Sequence, residues 1–171
     1  PTEETLAAKT HLLLKKKNKN FITVIIPRHV HRTYEIINEL KRLKLEIVVH
    51  SSKNKNLNNK DIYIVDTFGE SKKFYKIAST VFVGGSMVNR GGQNPLEPAR
   101  YGAKILHGPN VGNFREIYDY LNSLNISSKV KTPLEISNSF KFKKNMSNII
   151  KIDNIGENIL KKTLKELNKS I

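Results

Sequence analysis

Two glycine pairs ahead of a helix start form the segment of this chain that is best suited to bind an anion. Gly84–Gly85 follows an apolar run, Gly91–Gly92 comes next, and Asn94–Pro95 has the residue types typical of a helix N-terminus. Glycine adopts positive φ angles at little cost and lets a ligand approach the main chain closely. The first helical turn adds unpaired N–H groups and the positive end of a dipole. The segment therefore predicts a phosphate site, and a tight turn without a ligand is the alternative.

Basic side chains follow another apolar run, where Pro27 ends a predicted strand. An arginine guanidinium is a planar donor that matches phosphate or carboxylate. Arg28 and His29 are adjacent to the strand end, so we expect them to have a binding role. We expect His31 and Arg32, further along, to be solvated residues of the first helical turn.

Three turns pair a Thr or Asn with a Glu three positions later: Thr67 with Glu70, Asn94 with Glu97, and Asn113 with Glu116. This is the spacing of a capping box, in which each side chain satisfies a backbone N–H at the helix start. Each glutamate is therefore open to a structural interpretation as well as a ligand-binding one. Gly69, within the first turn, exposes main-chain groups that a base or a ribose could contact.

The remaining polar residues do not suggest a metal site or a nucleophilic catalyst. The five histidines are His11, His29, His31, His50 and His107. None pairs with another at the spacing of metal ligands on a helix, and no HExxH element is present. We expect no metal and no cofactor, and we expect His11 to lie on the surface of the first helix.

The chain is strongly basic, with 30 Lys and Arg against 15 Asp and Glu and a formal net charge of +15. Such a charge attracts anionic partners, but a general Lys-rich composition produces it as well. No zinc finger, helix-turn-helix or aromatic ribonucleoprotein motif accompanies it, so we do not expect a nucleic-acid partner. No apolar run reaches the length of a membrane span, and no signal peptide is recognisable.

Apolar strands alternate with amphipathic helices along the chain. The strands are predicted at 21–26, 45–49, 62–65, 81–83, 104–106 and 128–130, and the helices at 6–17, 34–43, 69–78, 95–102, 114–124, 134–146 and 155–167. This alternation predicts an α/β fold, a Rossmann-like parallel sheet with helices on both faces, in one domain over 1–171. Ligands of such folds bind outside the carboxyl ends of the strands, where the turns described above begin.

Several of these segments resemble motifs in the C-terminal halves of the 3-deoxy-manno-octulosonic acid (Kdo) transferases of lipopolysaccharide assembly. They occur in the family's order: Pro27–His29, Asp66–Glu70, Phe82–Ser86, Gly91–Glu97, Gly108–Pro109 and Asn113–Phe114. Phe68 stands where the family has methionine. Gln93 stands where the family usually has histidine and carries no charge.

The resemblance implies the donor-binding half of a GT-B glycosyltransferase, which binds CMP-Kdo and transfers Kdo with inversion to a phosphorylated lipid A precursor. It implies that Arg28 contacts phosphate or carboxylate, that Phe68 and Gly69 meet the base, and that Glu97 accepts hydrogen bonds from ribose. It further implies a phosphate site shaped by Gly84, Gly85, Ser86, Gly92 and Asn94.

The family's N-terminal half, with the acceptor site and the catalytic carboxylate, is not matched. We therefore expect a soluble fragment that has no catalytic residue of its own and needs an N-terminal acceptor domain as partner. The expected location is the cytoplasmic face of the inner membrane, by peripheral contact. The alternative is a non-catalytic basic module that docks on anionic membrane or on another protein.

Overall fold

A computed structural model describes residues 2–53 and 56–152. Within that part of the chain the strands are β1 (Thr23–Ile25), β2 (Ile47–Val49), β3 (Ile62–Ile64), β4 (Thr80–Val83), β5 (Lys104–His107) and β6 (Ser127–Lys129). The α-helices are α1 (Thr2–Lys17), α2 (Thr33–Lys41), α3 (Ser71–Ile77), α4 (Leu96–Arg100), α5 (Arg115–Ser123) and α6 (Pro133–Ser139). Short 3-10 turns occupy Val30–Arg32 and Gly112–Phe114, and 147–152 is helical.

The strands form two three-stranded parallel sheets, with orders β1-β3-β2 and β4-β5-β6. The prediction of parallel α/β architecture is confirmed, but the sheet has two parts, because no ladder joins β1 to β4. The apolar, partly β-branched composition of β1 to β5 suits strands that are covered on both faces, whereas β6 is Ser127–Lys129. Within each sheet, the loops that follow the parallel strands lie together at its carboxyl edge.

Helices cover both faces of the second sheet, as successive strand residues show. Ile105 packs into a cluster with Tyr118 and Leu121 of α5. Leu106, the next residue, packs with Ile136 of α6 on the opposite face. In the first sheet, α1 and α2 contribute to one core, with the buried residues Ala8, Ile25, Ile36, Leu40, Leu45, Ile62 and Ile64.

The predicted helix over 134–146 is wrong in its second half, since α6 ends at Ser139. Phe140 has extended backbone angles, and its ring packs against the ring of Phe21 at 5.3 Å. The backbone of Lys141 exchanges two hydrogen bonds with Thr80 Oγ1, of 2.9 and 3.0 Å. These tertiary contacts fix an extended segment where the apolar pattern alone favoured a helix. The helix predicted over 155–167 lies outside the described residues.

The expectation that His11 lies on the surface is wrong, because its side chain is fully buried. Nδ1 lies 3.0 Å from Thr23 Oγ1, and Nε2 lies 3.2 Å from Asp61 Oδ1. Lys15 Nζ donates to the same Asp61 oxygen at 2.7 Å. Thr23 begins β1 and Asp61 directly precedes β3, so α1 crosses the amino edge of the sheet and places the imidazole between two strand starts. Burial lowers the pKa of His11, and the bond to Asp61 only partly opposes that shift.

None of the three predicted capping boxes is formed with both of its hydrogen bonds in the described residues. α3 begins only at Ser71, and Thr67 Oγ1 is buried without a hydrogen-bond partner among the described residues. Asn113 Nδ2 donates instead to the Arg90 carbonyl at 3.2 Å. Asn94 does cap its helix, since its Oδ1 accepts the Leu96 N–H at 3.0 Å. Threonine and asparagine side chains also hydrogen-bond to the backbone of loops, so their spacing alone does not define a helix start.

A cap that the pattern search did not identify begins α6. Thr132 Oγ1 accepts the Glu135 N–H at 3.2 Å. Glu135 Oε2 in turn accepts the Lys131 N–H at 2.8 Å. Pro133 follows Thr132 as the first helical residue, which is its favoured position.

Candidate functional site: the carboxyl edge of the two sheets

The parallel strands bring the predicted site residues to a common edge. Arg28 and His29 follow β1, Phe68 and Gly69 follow β3, and the glycine segment 84–92 follows β4. A cavity of about 800 Å³ lies between β1 and β4 and reaches several of these loops. Its lining at this edge includes Arg28, His29, Gly84, Gly85, Gly92 and Asn94.

The glycines after β4 are required by backbone geometry. Gly85, Gly91 and Gly92 have φ angles of +70°, +76° and +75°, a region that side chains rarely allow. Gly92 N–H donates to the Gly85 carbonyl at 3.0 Å, which ties the two pairs together. A Cβ on Gly92 would lie 3.2 Å from the backbone of Val111, so this loop packs closely against the loop after β5.

The turn after β4 does bind an anion, and that anion is the carboxylate of Glu3 in the first turn of α1. Glu3 accepts the N–H groups of Gly85 at 2.7 Å, Ser86 at 3.0 Å and Met87 at 2.8 Å. Successive N–H groups that converge in this way form an anion-binding nest. Sequence reasoning found the nest but missed Glu3, whose only signal was its place among acidic residues at a helix start.

Ser86 has its side chain turned into the protein. It is fully buried, and its Oγ donates to the Val83 carbonyl at 2.6 Å and accepts the Gly108 N–H at 2.8 Å. Its own carbonyl accepts the Asn110 N–H at 2.8 Å. Ser86 therefore joins the loops after β4 and β5 by hydrogen bonds inside the protein, and it supports the edge without facing the cavity.

Residues 92–97 close the loop and begin α4. Gly92 is buried, Asn94 is exposed and Glu97 is half-buried in the first turn. The Gln93 carbonyl accepts the Tyr118 hydroxyl at 2.8 Å, and burial raises the pKa of that phenol. α4 is only five residues long, so its dipole is smaller than the predicted helix over 95–102 would supply.

Of the basic residues after β1, Arg28 and His29 are exposed at the surface, whereas Arg32 has a structural role that the sequence did not predict. Arg28 and His29 are exposed at the rim of the cavity. The expectation that Arg32 is solvated is wrong: its side chain is 22% exposed, and its guanidinium bonds Glu4 at 3.1 Å and Glu35 at 3.3 Å. The hydrogen bond that Arg32 donates to Glu35 leads the effects that raise the pKa of Arg32. Arg32 therefore holds α1 to α2.

Phe68 and Gly69 form an exposed turn at the same edge. The Phe68 side chain is 79% exposed, and Gly69, at φ +80°, has open space where a Cβ would stand. Just before them, Asp66 accepts hydrogen bonds from the N–H and hydroxyl of Ser51. Burial acts to raise the pKa of Asp66, but these bonds outweigh it and the pKa is lowered.

Residues 2–53 and 56–152 contain no group of three or more His, Cys, Asp or Glu placed to hold a metal ion. Among the helices of the same residues, none has the length and apolar character needed to cross a bilayer. The anion-binding groups that the structure shows at this edge are the amides that bind Glu3 and the exposed Arg28.

The fold and the edge define the class of this chain: a Rossmann-like parallel α/β domain of the GT-B fold type. A solved structure described as the C-terminal CMP-Kdo binding domain of WaaA from Acinetobacter baumannii matches it with a TM-score of 0.73. That match covers 80% of this chain and 71% of the other, at 24% identity. No family model matches the chain.

Curated relatives identify the group more narrowly. A 3-deoxy-D-manno-octulosonic acid transferase of Haemophilus influenzae is 33% identical over 119 residues, 70% of this chain. One of Rickettsia prowazekii is 32% identical over 148 residues, 86% of this chain. A bifunctional glycosyltransferase/methyltransferase of Fusobacterium nucleatum is 31% identical over 173 residues, 89% of this chain. The chain is related to the Kdo transferases, and the matched regions are 28%, 32% and 27% of these three relatives.

Proposed function

We propose that this chain is the donor-binding portion of a glycosyltransferase that transfers Kdo from CMP-Kdo. The observation that carries the proposal is the convergence of Arg28, the glycine segment and the start of α4 at one edge, in a chain related to Kdo transferases. The finer assignment, to CMP-Kdo as donor and a phosphorylated lipid A precursor as acceptor, rests on the names of the relatives and on the motif resemblance.

The phosphate of the donor lies, in this proposal, between Arg28 and the loop that leads into α4. Arg28 is exposed at the cavity rim, and its guanidinium matches two phosphate oxygens. The amides of Gly85 and Ser86 are held by Glu3, so Gly84, Gly85 and Ser86 shape the site. Gly92 gives room for close approach, and Asn94 fixes the helix start.

The remaining donor contacts follow from the two neighbouring turns. In this proposal the exposed Phe68 and the main chain at Gly69 meet the cytosine ring, and His29 lies beside Arg28 at the rim. Glu97 accepts hydrogen bonds from ribose hydroxyls. As phosphate leaves, the Arg28 guanidinium stabilises its growing negative charge.

Calorimetric titration with CMP, UMP and AMP tests this site. We expect CMP to bind most tightly and Arg28→Ala to weaken it at least about tenfold, the loss of a charge-assisted contact. Arg42→Ala is the matched control, since Arg42 is also exposed but follows α2 at the opposite edge. Equal affinity for the three nucleotides, or equal effects of the two variants, would refute the assignment.

Glu3→Ala decides whether the nest itself receives the donor phosphate. If phosphate has to displace Glu3, removing the carboxylate would tighten CMP binding. We expect no tightening, because the proposal places phosphate at Arg28 and leaves the nest to Glu3.

We also propose that the assembled enzyme works at the cytoplasmic face of the inner membrane, with an N-terminal acceptor domain as its partner. The net charge of +15 supports contact with an anionic surface. Sedimentation with phosphatidylglycerol vesicles should show binding that is lost at high salt. Equal sedimentation with neutral phosphatidylcholine vesicles would remove the support that charge gives.

A further inference from the structure

A second cavity, of about 490 Å³, lies at the amino edge of the second sheet. Lys104, the first residue of β5, lines it together with Asn125, just before β6. The segment after α6 supplies the rest of the lining: Lys141, Phe142, Lys143, Asn145 and Asn148. Lys141 is bonded through its backbone to Thr80, the first residue of β4. The cavity therefore lies where the strands begin, whereas the proposed nucleotide site lies where they end.

The cavity concentrates positive charge. Lys104, Lys141 and Lys143 line it, and among the described residues that do so there is no Asp or Glu. None of the three lysines forms an ion pair with another described residue. Burial lowers the pKa of Lys104, and the nearby charge of Lys141 lowers it further. Ammonium groups close enough to repel each other are an arrangement that a bound anion stabilises.

Lys104 has a hydrogen-bond donor left for a ligand. Its ammonium donates to the Asn125 carbonyl at 2.9 Å and to the Ser127 carbonyl at 3.1 Å. Because an ammonium group has three N–H donors, one remains. Lys144 differs, since it uses three donors, on the carbonyls of Tyr75, Lys76 and Tyr101. Lys144 thereby fixes the segment after α6, which carries most of the cavity lining.

Asn148 adds a buried carboxamide to the same cavity. Only 6% of the residue is exposed, and it lines the cavity. Its backbone N–H donates to the Asn145 carbonyl at 3.0 Å, but its side chain has no hydrogen bond to another described residue. Buried side-chain amides are nearly always hydrogen-bonded. A ligand in the cavity would supply the partner that this side chain lacks within the described part of the chain.

We propose that this cavity binds a phosphate monoester group, which accepts hydrogen bonds from Lys104 and Asn148 and whose charge is balanced by Lys141 and Lys143. A monoester carries about 1.5 to 2 negative charges at pH 7 and has three acceptor oxygens. Lysine binds phosphate as a point charge. The volume lies within the range of small-molecule pockets, roughly 300–1,000 Å³, so the organic part of the ester fits beside the exposed ring of Phe142.

This site goes beyond the proposed nucleotide site and is separate from it. The four residues of β5 place the two edges about 13 Å apart, at roughly 3.3 Å per residue. CMP and a phosphate monoester should therefore bind together. Both a soluble phosphate ester and the headgroup of a lipid such as phosphatidic acid present this group.

NMR titration of the full chain with glycerol 3-phosphate, in the presence of CMP, tests the site. We expect the side-chain amide signals of Asn148 and the backbone signals of Lys104 and Lys143 to shift. Asn148→Leu, which is close in size and lacks the donors, should weaken the probe. The dispersed amide spectrum of each variant shows whether it is folded.

A pair of lysine substitutions gives the sharper comparison. Lys141→Gln with Lys143→Gln should weaken glycerol 3-phosphate at least about fivefold, because two charges that face the ligand are removed. The side chains of both lysines are exposed and make no hydrogen bond to another described residue, so the fold should persist. Lys9→Gln with Lys41→Gln is the matched control, since these lysines are also exposed and line neither cavity.

Vesicle sedimentation distinguishes the two sources of the phosphate. Phosphatidic acid presents a monoester and phosphatidylglycerol a diester, and the vesicles are matched in total charge. A lipid ligand predicts that the Lys141 and Lys143 pair loses binding to phosphatidic acid vesicles, whereas the control pair keeps it.

Each outcome decides the proposal. Weaker glycerol 3-phosphate binding in the cavity variants alone supports it, with a soluble ester as ligand. Cavity-dependent binding to phosphatidic acid vesicles alone supports it, with a lipid headgroup as ligand. No binding of either probe, equal effects of the two lysine pairs, equal cavity-dependent binding of phosphatidylglycerol, or displacement of the probe by CMP overturns it. CMP affinity, measured in the same titrations, reports separately on the nucleotide site.

Discussion

The amides of Gly85, Ser86 and Met87 converge on one carboxylate, that of Glu3, although they are far from it in the sequence. The turn itself was recognisable from its glycines, because positive φ angles and close packing leave few alternatives to glycine. What occupies the turn was not recognisable, since it depends on where α1 lies in space. At the scale of a residue, sequence therefore predicts a binding geometry better than it predicts the partner.

Glu3→Gln tests the strength of that contact. We expect the free energy of unfolding to fall by about 1–2 kcal/mol, because a charged acceptor of three amides is replaced by a neutral one. Urea titration measures it. Glu116→Gln is the control, since Glu116 is an exposed acid in the first turn of α5 and should change stability by less than about 0.5 kcal/mol. Equal losses of unfolding free energy in the two variants would mean that the contact of Glu3 with the three amides stabilises the protein no more than an exposed glutamate does.

His11 gives a pH dependence with a definite sign. Its pKa is lowered in the folded protein by burial, whereas Asp61 raises it and Lys15 lowers it further to a smaller extent. Between its folded pKa and the ordinary value of 6.5, the unfolded chain binds more protons, so stability rises with pH in that window. Below the folded pKa the contribution of His11 has been lost.

Urea unfolding between pH 5 and pH 7.5 should therefore show a smaller slope in His11→Gln than in the parent. The buried His107, whose pKa is also lowered by burial, acts in the same direction and remains in both proteins. Asp61 does not confound the comparison, because its lowered pKa lies below 3.8, outside the window. An unchanged slope would contradict the assignment of the effect to His11.

At the scale of an element, the strands were predicted from the sequence better than the helix caps were. The strands were predicted within about three residues at each end, since buried parallel strands leave a continuous apolar signal. The caps were predicted poorly. Thr67 lies in a loop and its hydroxyl has no partner among the described residues, Asn113 bonds a neighbouring loop, and Thr132 is the threonine that caps. A cap requires that the chain turn at that residue, which tertiary contacts decide.

Thr132→Ala and Thr67→Val form a matched pair for this distinction. Loss of the Thr132 cap should lower the free energy of unfolding by about 1 kcal/mol. Thr67→Val should be neutral or stabilising, because it replaces a buried, unpaired hydroxyl by a methyl group of similar shape. Chemical denaturation of both variants measures the difference. A larger loss in Thr67→Val would indicate that Thr67 has a partner that matters for folding.

At the scale of the whole molecule, the described residues form a recognisable carboxyl edge and two separate three-stranded sheets. The edge was predictable because strand-to-helix turns carry the binding groups of parallel α/β domains. The gap between β1 and β4 was not, since a run of apolar residues gives no information about which strand will lie beside it. The order of strands is a property of the assembled domain, and only coordinates or a relative supply it.

The groups at the carboxyl edge bind the donor in our proposal, and none of them is placed to activate an acceptor. We therefore predict that the chain alone does not transfer sugar. Inverting transfer needs a base beside the acceptor hydroxyl, on the face opposite the departing phosphate. In the proposed site, Arg28 and the glycine segment contact the departing phosphate. The acids near them are otherwise placed: Glu70 is paired with Lys73 at 2.7 Å, and Glu97 lies in the first turn of α4.

Holding donor and acceptor in register supplies a large part of the rate enhancement, and one domain forms only one wall of the cleft. The assay follows product from CMP-Kdo and a lipid A precursor, with the chain alone and with the N-terminal half of the Haemophilus influenzae relative. We expect no transfer by the chain alone, even where titration shows CMP bound, and turnover only when the second half is present. Transfer by the chain alone at the rate of the combined halves would place the acceptor base within these 171 residues, and the role of Glu70 and Glu97 would then have to be reassigned.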